Sequence, residues 1–146
     1  MFFNILQRVV TSIVQIEPID MKNFEGLKAL VVEDDRFIQT IIKTNLNSIG
    51  IQNVVASNGI EAIAALKEKQ FDFVMMDIHM PQQDGLDATR WIRDVSDGSI
   101  RNIPIFALTS YSSPQHTEEI LQAGMNEHLV KPFKLENLLD ILGKYF

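Results

Sequence analysis

The sequence predicts a doubly wound α/β domain: a five-stranded parallel sheet of order 2-1-3-4-5 with five helices, preceded by an N-terminal extension. Three observations carry this. Short apolar runs alternate with helix-period segments from Leu27 onward. The runs show little polar alternation, the mark of strands buried on both faces of a helix-covered parallel sheet. Right-handed crossovers between such units place helices on both faces.

The strands are expected at 27–33, 53–57, 72–76, 104–108 and 127–130. Between the first two, Ile38, Ile41, Ile42 and Leu46 recur at helical spacing until Gly50 stops the pattern. Asn58-Gly59 opens a second helix carrying Ile60, Ile63 and Ala64. A third spans about 86–95, entered by the Asp84-Gly85 turn and closed by Asp97-Gly98-Ser99. Ser113-Pro114 starts a fourth, with proline in its first turn, and Gly124 ends it. Leu135, Leu138, Leu139 and Leu142 mark the fifth. The domain is therefore drawn at 26–146 and the extension at 1–25.

The extension does not share this rhythm. Phe2, Leu6, Val9, Ile13 and Ile16 form an apolar stripe, while Val9 to Val14 is rich in β-branched residues. Three roles stay open for it: a cover or dimerisation arm, a flexible leader or linker, and a membrane-surface anchor. The last is disfavoured because Arg8 is the lone cation of the polar face.

Composition narrows the function. A length of 146 residues fits one domain, and 46% hydrophobic residues suffice for a core. A formal net charge of −6 argues against nonspecific nucleic-acid binding. With no cysteine, disulfides, thiolate metal sites and cysteine nucleophiles are excluded, which fits a cytoplasmic protein. No apolar stretch approaches the roughly 20 residues that span a bilayer, and no leader pattern is present, so neither a membrane span nor export is expected.

In an open parallel sheet, ligands bind at the carboxyl ends of the strands, at the switch point of strand order. Here that edge collects Glu33-Asp34-Asp35 after strand 1, Asp77 after strand 3, Thr109-Ser110 after strand 4 and Lys131-Pro132 after strand 5. Clustered carboxylates repel one another unless a cation joins them. Glu33, Asp34 and Asp77 are the candidate ligands for Mg²⁺, a hard ion that takes oxygen donors. Asp35 is expected to cap the following helix. Asp77 is also a candidate carboxylate nucleophile towards phosphorus. Lys131 supplies a point charge and Thr109 a hydroxyl for phosphoryl oxygens, while small Ser110 keeps the approach open. Trp91 is expected on the inner or rim face of the third helix, and His116, in a polar helix start, in solvent.

Four motifs carry a family resemblance over about 26–146: Leu30-Val31-Val32-Glu33-Asp34-Asp35, Met76-Asp77-Ile78-His79-Met80-Pro81-Gln82-Gln83-Asp84-Gly85, Ala107-Leu108-Thr109-Ser110 and Val130-Lys131-Pro132-Phe133. In this the chain resembles the receiver domains of two-component response regulators, which share the flavodoxin-like architecture. The resemblance implies Asp77 as phosphoacceptor. It implies Mg²⁺ held by Glu33, Asp34, Asp77 and the backbone carbonyl of His79, with Thr109 as switch hydroxyl and Lys131 as the family's site lysine. It also implies a cis Lys131-Pro132 peptide. The partners implied are a sensor histidine kinase or histidine phosphotransfer protein as donor, and a downstream protein on the face of helix 4, strand 5 and helix 5. That face, or the N-terminal arm, is also the place for a dimer contact. The chain is expected to accept a phosphoryl group, to promote its own phosphorylation and dephosphorylation rather than be a turnover enzyme, and to signal through phosphorylation-dependent protein–protein contacts or phosphate relay.

Two departures from the family pattern matter, one at His128 and one at the pair His79 and Tyr111. His128 stands where an aromatic switch residue is usual, which suggests pH-sensitive switching; identical behaviour of His128→Tyr across pH would refute it. Tyr111, two residues after Thr109, and His79, two after Asp77, flank the phosphoryl position. A bulky Tyr111 implies slow hydrolysis, so an unchanged phosphoryl half-life in Tyr111→Ala would contradict it. The rival readings are a receiver segment of a hybrid histidine kinase, a phosphorylation-independent pseudo-receiver, an aspartyl phosphatase of the dehalogenase type and a flavin-binding module. The phosphatase wants a second Asp where His79 stands, and the flavin phosphate would be repelled by Glu33-Asp34-Asp35.

Overall fold

A computed structural model describes residues 24–80, 85–110 and 113–146. The readings placed on residues 1–23, on Pro81, Gln82, Gln83 and Asp84, and on Tyr111 lie outside the described residues. The described chain runs β1 (Lys28–Val32), α1 (Arg36–Ser48), β2 (Gln52–Ala56), α2 (Gly59–Glu68), β3 (Phe73–Asp77) and α3 (Gly85–Asp94). It continues through α4 (Gly98–Arg101), β4 (Ile105–Thr109), α5 (Pro114–Ala123), β5 (Glu127–Val130) and α6 (Leu135–Tyr145). All strand pairs are parallel and the order is β2-β1-β3-β4-β5, as expected from the sequence.

One element corrects the sequence reading. Asp97-Gly98-Ser99 does not simply close the third helix; it starts the single turn α4, so the described residues hold six helices and not five. The Asp97 side chain accepts from the Ser99 amide at 2.9 Å, which makes it an N-cap. The face expected between helix 4, strand 5 and helix 5 is thus built from α5, β5 and α6.

The sheet divides the core in two. On one face Val31, Phe73, Met75 and Phe106 pack against Ile42 and Leu46 of α1 and Leu138 and Leu142 of α6. On the other, Leu30, Val32, Val74, Met76 and Ile105 pack against Ala62 and Leu66 of α2, Ala88 and Ile92 of α3, and Ile120 of α5. Alternate residues of each central strand therefore serve opposite layers, which is why β3 and β4 are buried along their whole length. Each large side chain so buried contributes roughly 1.5–3 kcal/mol. Phe24, in the segment read as extension, is also buried in the first layer. Trp91 lies partly buried against the second, with the Lys67 ammonium 5.3 Å from its ring centroid.

Helix ends are fixed by side chains the sequence supplies. Asp35 accepts from the amides of Phe37 and Ile38, as its capping role requires. Asn58 accepts from Glu61 N–H while Glu61 accepts from Ser57 N–H, a reciprocal cap. Gly124 ends α5 in the left-handed region at φ 103°, where glycine carries no steric cost.

Candidate phosphoryl and metal site

Parallel pairing sets the site's geometry. β1 and β3 are neighbours in register, Val32 opposite Met76, so the next residues, Glu33 and Asp77, emerge side by side. Glu33, Asp34 and Asp77 each offer a carboxylate oxygen, all within 4.8 Å of one another. Glu33 and Asp77 are 1% exposed, whereas Asp34 faces solvent. Lys131 reaches in from the end of β5, its Nζ 3.3 Å from Asp77 Oδ2 and 3.4 Å from Glu33 Oε2. The Lys131-Pro132 peptide is cis.

One ammonium does not neutralise two buried carboxylates. Burial first, then hydrogen bonding and charge repulsion from Asp77, push the Glu33 carboxyl from an ordinary 4.5 up to about 8, against the pull of Lys131. Burial and Asp77 thus favour a proton on Glu33 in the metal-free protein, which stands in for the positive charge that one lysine does not supply. Hard oxygen donors with that deficit fit a divalent cation such as Mg²⁺.

The backbone around Asp77 is tightly determined. The His79 amide donates to Asp77 Oδ1 at 3.0 Å. Gly85, the first residue of α3, lies so close that a Cβ there would sit 2.2 Å from the Asp77 carbonyl oxygen. Glycine lets α3 begin directly against the end of β3. Sequence reasoning saw in Asp84-Gly85 only a turn.

Thr109 ends β4 fully buried, and its carbonyl accepts from Lys131 N–H at 2.7 Å. Ser110 is exposed. It borders a groove of about 390 Å³ that runs between Phe37 and Ile41 of α1 and the Lys131-Pro132-Phe133 segment. His128 is half-buried in β5, opposite Ala107.

His116 corrects the second expectation. It is not in solvent: its side chain is 14% exposed, and its Nε2 lies 2.8 Å from Thr109 Oγ1. Its ring stacks on that of exposed His79, centroids 5.9 Å apart and planes within 6°. A signal for this was present in the sequence. With Ser113 as N-cap, His116 occupies the third helical position, and side chains there tilt back towards the helix start, here towards the end of β4.

Residues 29–143 match the response regulator receiver domain family. The chain belongs to that family. Among receiver relatives, it is 39% identical over 133 residues to the osmosensing histidine protein kinase SLN1 of Saccharomyces cerevisiae, covering 86% of this chain but 11% of that protein. It is 33% identical over 123 residues to the chemotaxis protein CheY-3 of Vibrio cholerae, covering 84% of this chain and 93% of that one. The receiver thus matches a small part of the first and nearly the whole of the second. Among solved structures, the receiver domain of sensor histidine kinase PA1611 from Pseudomonas aeruginosa PAO1 aligns with a TM-score of 0.74 at 38% identity, covering 82% and 97% of the two chains. That receiver has a magnesium ion coordinated in its active-site cleft. Among the described residues, no helix is long and apolar enough to cross a membrane.

Proposed function

We propose that this receiver takes a phosphoryl group from a phosphohistidine onto Asp77 in a Mg²⁺-dependent reaction and signals by altered protein contacts. The observation that carries it is the pairing of buried Asp77 and Glu33 around Lys131, with the Glu33 carboxyl pushed towards its protonated form.

In the transfer, the donor's P–N bond breaks, its ring nitrogen keeps the electron pair, and a P–O bond forms to an Asp77 carboxylate oxygen. Asp77 Oδ1 is already engaged by the His79 amide, so Oδ2, beside Lys131, is the oxygen whose product would find a cation waiting. Glu33, Asp34, Asp77 and the His79 carbonyl would hold the Mg²⁺, which when bound neutralises charge on the phosphoryl oxygens. Lys131 would shift from the carboxylates to a phosphoryl oxygen, and the Thr109 hydroxyl would bond another. The apolar groove beside Lys131, with Phe37 75% exposed, gives the donor protein a landing surface next to Asp77.

A phosphoryl group adds about −1.5 to −2 charges at the sheet edge. Moving Thr109 and Lys131 would reshape the face of α5, β5 and α6, where a downstream protein or a second copy would bind. This is acceptance and switching, not turnover. The same chemistry serves a stand-alone regulator and a segment of a hybrid kinase, the two settings that CheY-3 and SLN1 represent.

Incubation with a phosphorylated histidine phosphotransfer protein and Mg²⁺ tests this. Label should move to the wild-type chain and not to Asp77→Asn; label on both variants, or on neither, would contradict it.

A further inference from the structure

We propose that His116 is a positioning residue for the switch: its Nε2 holds the Thr109 hydroxyl in the unloaded protein and passes that hydroxyl's movement to α5. This rests on the reading of Asp77 as the phosphoacceptor.

A hydroxyl has one proton to donate, and a neutral imidazole has one acceptor nitrogen. Glu119 Oε2 lies 3.7 Å from His116 Nδ1, which favours the proton on Nδ1 and leaves Nε2 as the acceptor. Thr109 Oγ1, 2.8 Å away, then donates to it. Thr109 is 0% exposed, so this hydroxyl is held without competition from bulk water. To bond a phosphoryl oxygen on Asp77, the hydroxyl must turn its proton away from Nε2. Loading therefore breaks a 2.8 Å contact to a ring that is only 14% exposed, and the ring's position must adjust to its loss.

That movement has a direct mechanical outlet. His116 sits in the first turn of α5, and its own amide donates to the N-cap Ser113 Oγ at 3.2 Å. Its ring also stacks on His79, whose amide holds Asp77 Oδ1. His116 therefore touches the switch hydroxyl, the flank of the acceptor and the start of the helix that borders the output face. His128, at the family's aromatic position, lies one strand away in β5 opposite Ala107. In this chain the signal leaves Thr109 through α5.

Long-range ¹H–¹⁵N spectra of the histidine rings test this in the unaltered protein, before and after Mg²⁺ with beryllium fluoride as phosphoryl mimic. The His116 Nε2 signal should be that of an acceptor in the free protein and should change on loading. Phosphorylation by a small phosphodonor supplies the second readout. His116→Phe keeps the flat ring but frees the hydroxyl, so its rate should rise about fivefold, while His116→Gln, whose Oε1 can accept the same bond, should stay within about twofold of wild type. Loading with no change at His116 Nε2, or Phe and Gln variants that behave alike, overturns this inference alone. No loading of the wild type overturns the phosphoacceptor reading and this inference with it.

Discussion

At the carboxyl edge of the sheet, two buried carboxylates share one ammonium. At the opposite edge, the half-buried guanidinium of Arg93 donates to four oxygens: Gly124 O, Arg101 O, Ile103 O and Asn126 Oδ1, at 2.7–2.8 Å. Asn126 Oδ1 accepts in turn from the Ile105 amide at 2.8 Å. The first cluster is left short of charge and proton-hungry; the second has its donors matched to acceptors and ties α3, α4, α5 and the entries to β4 and β5 together. The same fold thus spends its strongest polar interactions on order at one edge and leaves the other electrostatically unfinished. Unfinished charge is useful only if something binds there.

Four changes would break or sharpen that contrast. Arg93→Ala should have the largest effect, lowering unfolding free energy by about 3 kcal/mol in urea titrations, because several carbonyls lose a charged donor at once. Gly85→Ala should cost about 2 kcal/mol by the same measurement, since its Cβ would overlap the Asp77 carbonyl and force α3 away from β3.

The third is a pH dependence. The folded protein keeps the Glu33 proton up to about 8, while the unfolded chain releases it near 4.5. Between those values the native state binds more protons than the unfolded one, so metal-free stability should fall as pH rises, by at most about 1.4 kcal/mol per pH unit. Saturating Mg²⁺ should flatten this slope, and Glu33→Gln should remove it. Calorimetry across pH 5–8 reads this directly. Smallest, Lys67→Ala removes the cation from the face of Trp91 and should cost about 0.5 kcal/mol in the same assay.

Most of the fold was legible because its signals are local and repeated. The β1, β3 and β4 runs read as doubly buried strands and are so, and switch-point logic alone set Glu33 beside Asp77. What escaped had either too short a period or a long-range partner. A single helical turn such as α4 cannot show periodicity, and Asp97-Gly98-Ser99 serves equally as a stop and as a start. His116 looked like a solvated residue because its neighbours are polar, yet its bond spans the β4–α5 connection. The Arg93 knot joins residues up to 33 apart in sequence and leaves no local pattern. Gly85 was seen as a turn because the approach of α3 to Asp77 exists only in three dimensions.

The central claim is that Asp77 accepts a phosphoryl group because its pocket is built around missing positive charge. Intact mass after incubation with a small phosphodonor tests it most directly, with and without Mg²⁺, on wild type and Asp77→Asn. The account predicts the gain of one phosphoryl group by the wild type with Mg²⁺, and none when either the metal or the Asp77 carboxylate is removed. An equal gain in Asp77→Asn, or one indifferent to Mg²⁺, would contradict it.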